Sequence, residues 1–137
     1  MDMMRDEVLT LLHRFAVEPW ITGEVEALDD LVTEDYKFQG VAGDLESLKQ
    51  AVRDTRTGLR DVTVTLSYVI VEDDRVAYRW TMSGTHGGEL EGIPATGEPV
   101  TYTGITLLRL RDGKVAEDQF ESSSPSAREQ LGTSPPG

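Results

Sequence analysis

The chain has 137 residues, of which 38% are hydrophobic and 28% are charged, which predicts one globular domain with a core of its own. A formal net charge of −12 at pH 7 disfavours nucleic acid and anionic membranes as partners, because phosphate groups bind to basic faces. The absence of cysteine, of a bilayer-length apolar run and of a secretory signal excludes disulfides and thiolate metal sites and predicts a cytoplasmic protein.

The amino-terminal part of the chain predicts three helices. Apolar residues recur at helical spacing over Val8–Phe15, and Pro19 ends or breaks this first helix. A second, short helix follows Gly23. A third begins near Asp44 and stops at Gly58, which we interpret as a carboxy-cap glycine. Between the last two, Tyr36-Lys37-Phe38 predicts a brief extended segment.

From Arg60 onward the hydrophobic period changes from that of a helix to that of a strand. A turn at Glu72-Asp73-Asp74 connects the first long strand to a second over Arg75–Ser83. A final antiparallel pair, joined at Asp112-Gly113, is a strong hairpin signal. In the first strand the alternation predicts one face with Val62, Val64, Leu66, Tyr68 and Ile70, and an outer face with Thr63, Thr65, Ser67 and Val69.

Helices first and antiparallel strands afterwards describe an α+β domain, with the helices packed on one face of a curved sheet. We expect this single domain to span residues 1–132 and residues 133–137 to form a flexible tail, because Pro135-Pro136-Gly137 can join neither helix nor sheet.

Four motifs resemble the SnoaL-like polyketide cyclase family. They read Gly84-Thr85-His86-Gly87-Gly88, Gly92-Ile93-Pro94-Ala95-Thr96-Gly97, Arg109-Leu110-Arg111-Asp112-Gly113-Lys114-Val115 and Gln130-Leu131-Gly132. The resemblance extends roughly from Arg5 to Gly132. It implies a nuclear-transport-factor-2-like cone, in which a curved antiparallel or mixed sheet and about three helices enclose a pocket, and a homodimer formed through the outer sheet face.

The resemblance also implies a cofactor-independent enzyme of secondary metabolism, such as antibiotic biosynthesis, that closes a ring by an intramolecular aldol reaction. In the family an aspartate on the last strand is the general acid/base. Aligning the Asp-Gly-Lys turns without a gap puts Phe120 at that position. Asp118 lies two residues earlier and therefore on the same face of the strand.

Asp118 is the main candidate for a catalytic residue. Burial among aromatic side chains would raise the pKa of its carboxyl group into the range useful for proton transfer. Alternatively, Asp118 is solvated near the pocket mouth or bonded to a tyrosine hydroxyl. His86 is a second catalytic candidate, because imidazole exchanges protons near neutral pH. We favour the other role for His86, which is support of its loop by hydrogen bonding.

Further side chains are candidates for binding the substrate. The even-numbered register places Tyr102, Thr106 and Leu108 inward, since Arg109 then faces outward as Arg79 does. A cone of this size is not filled by its own side chains, so part of its aromatic set lines a cavity. The predicted substrate-binding set is Tyr36, Tyr78, Trp80, Tyr102, Thr106, Leu108 and Phe120.

Two functions remain open at this point. The first is an enzyme acting on a small hydrophobic, polyketide-like intermediate as a cyclase, an isomerase, or a lyase-like enzyme that opens an epoxide or lactone. The second is a non-catalytic module that binds a hydrophobic ligand or assists an enzyme, which the replacement of the family's aspartate by Phe120 favours. We expect neither a metal site nor a cofactor, because the two histidines lie far apart without carboxylates at ligand spacing.

Overall fold

The computed structural model describes residues 3–122 and 126–132. The predicted tail, residues 133–137, lies outside the described residues. Helices at the amino terminus cover one face of a single sheet, so the predicted α+β class is confirmed.

The helical layer begins with an almost continuous helix that changes type twice. It consists of α1 (Arg5–Leu12), a π-helical turn (His13–Val17) and α2 (Glu18–Thr22). Pro19 marks a break and does not end the helix, because it lies in the first turn of α2, where the missing N–H loses no hydrogen bond. Gly23, with φ of 80°, ends the helix in a left-handed conformation.

Two further helical segments complete this layer before the strands dominate. The short helix predicted after Gly23 is a 3₁₀ helix (Val25–Asp30), and the third predicted helix is α3 (Leu45–Gly58). Gly58 ends α3 as predicted, but its φ is not positive. A Cβ at Gly58 would lie 2.7 Å from Leu90 Cδ1, so the glycine provides room for a loop packed against the helix end.

The sheet has six strands in the order β2-β1-β6-β5-β4-β3. Only β1 and β6 are parallel, and the other neighbours are antiparallel, so the sheet is mixed. The hairpins predicted at residues 72–74 and at Asp112-Gly113 are both present. The strand bounds are β1 Val32–Phe38, β2 Val41–Ala42, β3 Leu59–Glu72, β4 Arg75–His86, β5 Pro99–Arg111 and β6 Lys114–Ser122.

One part of β3 has its faces reversed relative to the prediction. The pairing of β3 with β4 shifts between Ser67 and Ile70, and Tyr68 has φ of 52°. Such a bulge adds one residue and turns the following side chains to the opposite face. Tyr68 and Ile70 are consequently 78% and 63% exposed, whereas Val69 packs against the core. The placement of Val69 on the outer face was therefore wrong.

The core has two parts. The larger part lies between the helices and the inner sheet face and includes Leu12, Leu28, Val52 and Val115. The smaller part surrounds Leu59, Val62, Met82 and Val100 at the other end of the sheet. Among the described residues, no helix is both long enough and apolar enough to cross a bilayer.

Candidate active site

A cavity of about 120 Å³ lies between the helical layer and the inner face of the sheet. Its wall is apolar except for Tyr78, Thr106 and Asp118, which lie on neighbouring strands β4, β5 and β6. Among the described residues, no lysine, arginine or histidine lines it. The apolar part of the wall consists of Phe15, Ala16, Trp20, Leu48 and Ala51 from the helices and Phe38, Val64, Trp80, Met82 and Phe120 from the strands.

The π-helical turn shapes the helical side of the cavity. The N–H of Glu18 donates to the carbonyl of His13, five residues back. This wider turn brings two consecutive residues, Phe15 and Ala16, to the cavity wall. π-turns within α-helices occur frequently at functional sites. This contribution was not predicted, because a π-turn has no characteristic residue pattern in the sequence.

Asp118 is the buried carboxyl group of the cavity wall. It is 5% exposed, and Tyr36 donates a hydrogen bond of 2.9 Å from its hydroxyl to Oδ2. Burial raises the pKa of Asp118 from 3.8 to about 6, and the hydrogen bond from Tyr36 opposes this rise. Asp118 thus faces the cavity, as the catalytic interpretation requires, and is also bonded to a tyrosine hydroxyl, as the alternative interpretation expected.

Strand β1 fixes the backbone on both sides of Asp118. Phe38 is the parallel partner of Asp118, and the N–H of Gln39 donates to the Asp118 carbonyl over 2.8 Å. The Gln39 side chain then pairs with the backbone of Phe120, accepting from its N–H at 2.9 Å and donating to its carbonyl at 3.3 Å. Gln39 was not predicted, and only its place after an extended segment could have indicated it.

Phe120 belongs to an aromatic wall at the position where the family resemblance implies an acid. Its ring stacks on Phe38 at 5.9 Å and meets Trp80 edge-on at 6.2 Å. Trp80 can lie across β5 because its cross-strand neighbour is Gly104. A Cβ at Gly104 would lie 2.3 Å from Trp80 Cζ2, so a side chain there would displace the indole.

Tyr78 and Thr106 supply hydroxyl groups to the cavity. They are cross-strand partners on β4 and β5, and both are buried. Burial raises the pKa of Tyr78 far above its ordinary value, with a smaller rise from the charge of Asp118, while a hydrogen bond with Thr106 lowers it. The phenol is therefore a neutral hydrogen-bonding group at every physiological pH.

His86 lies outside the cavity. It is 0% exposed, and its Nδ1 and Nε2 lie 2.9 Å from Thr96 Oγ1 and 3.0 Å from the Ile93 carbonyl oxygen. Its backbone N–H and carbonyl pair with Glu98 and Gly97. With both ring nitrogens engaged, His86 holds the loop of residues 87–98 in place, and the structure gives it no access to a substrate in the cavity.

Three members of the predicted substrate-binding set do not line the cavity. Tyr102 packs near the smaller core part, and its hydroxyl donates to Glu91 Oε2 at 2.9 Å. Leu108 is 3% exposed in the main core, opposite Asp118 on the neighbouring strand. Tyr36 reaches the site only through its hydrogen bond to Asp118. The cavity does bring together Tyr78, Trp80, Thr106, Asp118 and Phe120.

A curved mixed sheet, closed by helices around an apolar cavity, defines the nuclear-transport-factor-2-like class of α+β domains. The chain belongs to the SnoaL-like polyketide cyclase family, whose sequence profile matches residues 10–122. The resemblance read from the four motifs is thereby confirmed, and it supports a cyclase-type role at the level of the family.

Solved structures agree with this assignment. TsrD from Streptomyces laurentii has 25% sequence identity and a TM-score of 0.83 over 97% of this chain and 100% of its own. IdmH from Streptomyces antibioticus, a proposed polyketide cyclase, has 26% identity and a TM-score of 0.75 over 93% of this chain and 97% of its own.

AclR from Streptomyces galilaeus, a proposed hydroxylase, has a TM-score of 0.81 over 98% of this chain and 89% of its own. Its sequence identity of 23% makes this a likeness of fold alone. No functionally curated protein matches the sequence significantly.

Proposed function

We propose that this protein is a cofactor-independent cyclase or isomerase that acts on a small, uncharged, mostly apolar polyketide-like intermediate, with Asp118 as general acid/base. The observation that carries the proposal is the placement of Asp118, the one carboxyl group among the described lining residues, in a wall that is apolar apart from it and the hydroxyl groups of Tyr78 and Thr106. Its raised pKa of about 6 lies close to neutrality, so both protonation states of Asp118 are accessible.

The chemistry that this wall supports is a proton transfer within one bound molecule. Asp118 as carboxylate would accept a proton from an acidic carbon or hydroxyl of the substrate and return it to another atom. Tyr78 or Thr106 would bind the oxygen on which negative charge develops. Ring closure, isomerisation and ring opening all use these two steps.

The composition of the wall also favours a class of substrate. In the described part of the chain no cationic side chain lines the cavity to pair with a carboxylate or phosphate, and burying such a charge unpaired is costly. Phe38, Trp80 and Phe120 form flat apolar surfaces that suit an unsaturated or cyclic molecule. Such a substrate would carry its few oxygens at the end near Asp118.

The acid in this proposal occupies a different point of the wall from the one that the family resemblance implies. Phe120 and Asp118 are two residues apart on β6, which corresponds to about 7 Å along a strand. The reacting atom would therefore lie nearer to Tyr36 and Tyr78, and Phe120 would contact the body of the substrate.

Replacement of the carboxyl group tests the proposal. Asp118→Asn keeps the side-chain shape and can still accept the hydrogen bond from Tyr36, but it cannot exchange a proton. We expect turnover to fall by about 10²-fold or more with little change in substrate affinity. Candidate substrates would be neutral polyketide intermediates, followed by product chromatography.

Asp73→Asn, in the exposed turn between β3 and β4, is the matched control and should retain full turnover. Full turnover by Asp118→Asn would exclude Asp118 as the acid/base.

The second candidate function, a hydrophobic-ligand-binding or accessory module, is favoured by the apolar wall and by Phe120. It would be supported if the protein bound such molecules tightly and left them unchanged.

We also propose that the protein forms a homodimer through the outer sheet face. Exposed Ile70 and Leu107 lie on either side of half-buried Ala77, on β3, β5 and β4 respectively. The next row across the strands reads Glu72, Arg75, Arg109 and Glu117, so its charges balance and can pair with a second copy.

Sedimentation velocity at micromolar concentration should give a dimer for the parent and a monomer for Leu107→Lys. Ile21→Lys is the matched control, because Ile21 is an exposed apolar residue on the helical side. A parent protein that sediments only as a monomer would contradict the dimer.

A further inference from the structure

Tyr36 is a buried tyrosine that contacts the active site from behind. It lies on β1, is 1% exposed, and does not line the cavity. Phe15 packs edge-on against its ring, with 6.4 Å between the ring centroids. The ring is therefore held on one side by the helical layer, while its hydroxyl reaches Oδ2 of Asp118 at 2.9 Å.

The two oxygens of the Asp118 carboxyl group consequently have different surroundings. Oδ2 accepts from Tyr36, and Oδ1 has no partner among the residues of 3–122 and 126–132. In the same part of the chain no fully enclosed side-chain oxygen lacks a partner. Oδ1 is therefore not enclosed, and because Asp118 lines the cavity, Oδ1 is the oxygen that reaches it.

Tyr36 itself is not suited to proton exchange with a substrate. Burial raises its pKa far above the ordinary tyrosine value, and the nearby charge of Asp118 raises it further. Its hydroxyl proton is also committed to Oδ2. The role left for the hydroxyl is to hold and tune the carboxyl group.

We propose that Tyr36 is a positioning residue, which occupies Oδ2 of Asp118 and thereby presents Oδ1 as the oxygen that exchanges a proton in the cavity. This inference rests on the proposed function of Asp118. Strand β1 and the residue after it therefore hold Asp118 at two points. Tyr36 binds its side chain, and the N–H of Gln39, three residues later, binds its backbone carbonyl.

Few ionisable groups face this carboxyl. Tyr36 on β1 and Tyr78 on β4 are the titratable side chains around it, and Asp44 acts more remotely on Tyr36. The neighbours from β5 are Thr106 and Leu108, and the helices contribute Phe15, Ala16, Leu48 and Ala51, none of which titrates. A change in the titration of Asp118 on removing the Tyr36 hydroxyl is thus attributable to that hydroxyl.

The test is the titration of Asp118 itself, which needs no substrate. A hydrogen bond to the charged form stabilises it, so Tyr36→Phe should raise the pKa of Asp118 above its value of about 6 in the parent. The measurement is carbon NMR of protein labelled at the aspartate carboxyl carbon, with the Asp118 signal assigned through Asp118→Asn.

Tyr102→Phe is the matched control, because it removes a tyrosine hydroxyl that binds Glu91 outside the cavity. It should leave the titration of Asp118 unchanged. Incorporation of 3-fluorotyrosine at position 36 is the second variant, since it preserves the packing and makes the hydroxyl a stronger donor. It should lower the pKa of Asp118, and it tests the hydrogen bond even if Tyr36→Phe does not fold.

An unchanged Asp118 titration in folded Tyr36→Phe, or in the fluorotyrosine protein, would overturn the positioning role and leave Tyr36 a packing residue. This failure is distinct from failure of the proposed function, which is decided by the turnover of Asp118→Asn. If the parent protein converts polyketides and the pKa of Asp118 is the same in Tyr36→Phe as in the parent, only the role of Tyr36 is refuted.

Discussion

Asp118 and His86 are both buried by the fold, yet their surroundings differ in one decisive way. At His86 both ring nitrogens have partners, Thr96 and the Ile93 carbonyl, and the ring does not line the cavity. At Asp118 one oxygen is bound by Tyr36 and the residue lines a cavity. Burial of a polar group therefore does not by itself indicate whether the group can reach a ligand. What differs is whether one of the polar atoms of the side chain still faces the cavity, as Oδ1 of Asp118 does and the ring nitrogens of His86 do not.

Removal of the His86 side chain should have the largest effect on stability. His86→Ala deletes three hydrogen bonds of the imidazole, two with Thr96 and one with the Ile93 carbonyl, and leaves a cavity, so we expect a loss of about 4 kcal/mol in the free energy of unfolding. Urea denaturation measures this loss. The titration of Asp118 should remain as in the parent, and a displaced Asp118 pKa would show that the two regions are coupled.

Removal of the Asp118 charge should raise the free energy of unfolding, whereas His86→Ala lowers it. The folded-state pKa of about 6 exceeds the ordinary 3.8, so the folded state disfavours the carboxylate. Below about pH 4 the group is neutral in both states and no penalty exists. The penalty grows between about pH 4 and 6 and is complete above, at roughly 2 to 3 kcal/mol.

Asp118→Asn should therefore gain stability over the parent as the pH rises through this window, and the gain should be constant above it. Denaturation midpoints in urea at pH 4, 5, 6 and 7.5 would show the trend. Asp73→Asn should show no such trend. A stability difference for Asp118→Asn that is independent of pH would contradict the burial of an ionisable carboxyl.

Phe120→Asp sharpens the comparison within the cavity, because it places a second carboxyl on the same wall. It removes the ring that stacks on Phe38 and meets Trp80. We expect a loss of about 2 kcal/mol at neutral pH, since the new group lacks a partner, and a further rise in the pKa of Asp118 from the like charge. Phe120→Leu is the control, because it removes the ring without adding a charge. If the pKa of Asp118 changes equally in both variants, the change is due to lost packing and not to the like charge.

The order of the main helices and of the four long strands followed from the sequence. Alternation along a strand is a local property, so it correctly put Thr106 inward on β5 and Asp118 and Phe120 on one face of β6, which the family resemblance implied to be the inner face. The motif around His86 and the Asp112-Gly113 hairpin indicated the family. These features are readable because neighbouring residues along the chain decide them.

Other features depended on contacts between distant segments, and only the tertiary structure decided them. The bulge at Tyr68 reversed the predicted faces of β3, because register is set jointly with β4. Tyr102 has the predicted parity, but it packs on the smaller core part and its hydroxyl is bonded to Glu91, so it does not line the cavity. The pairing of Tyr36 with Asp118 joins residues 82 positions apart, and it exists because β1 inserts beside β6 in parallel. Periodicity assigns a residue to a face, whereas the packing of strands and helices determines which residues on that face meet.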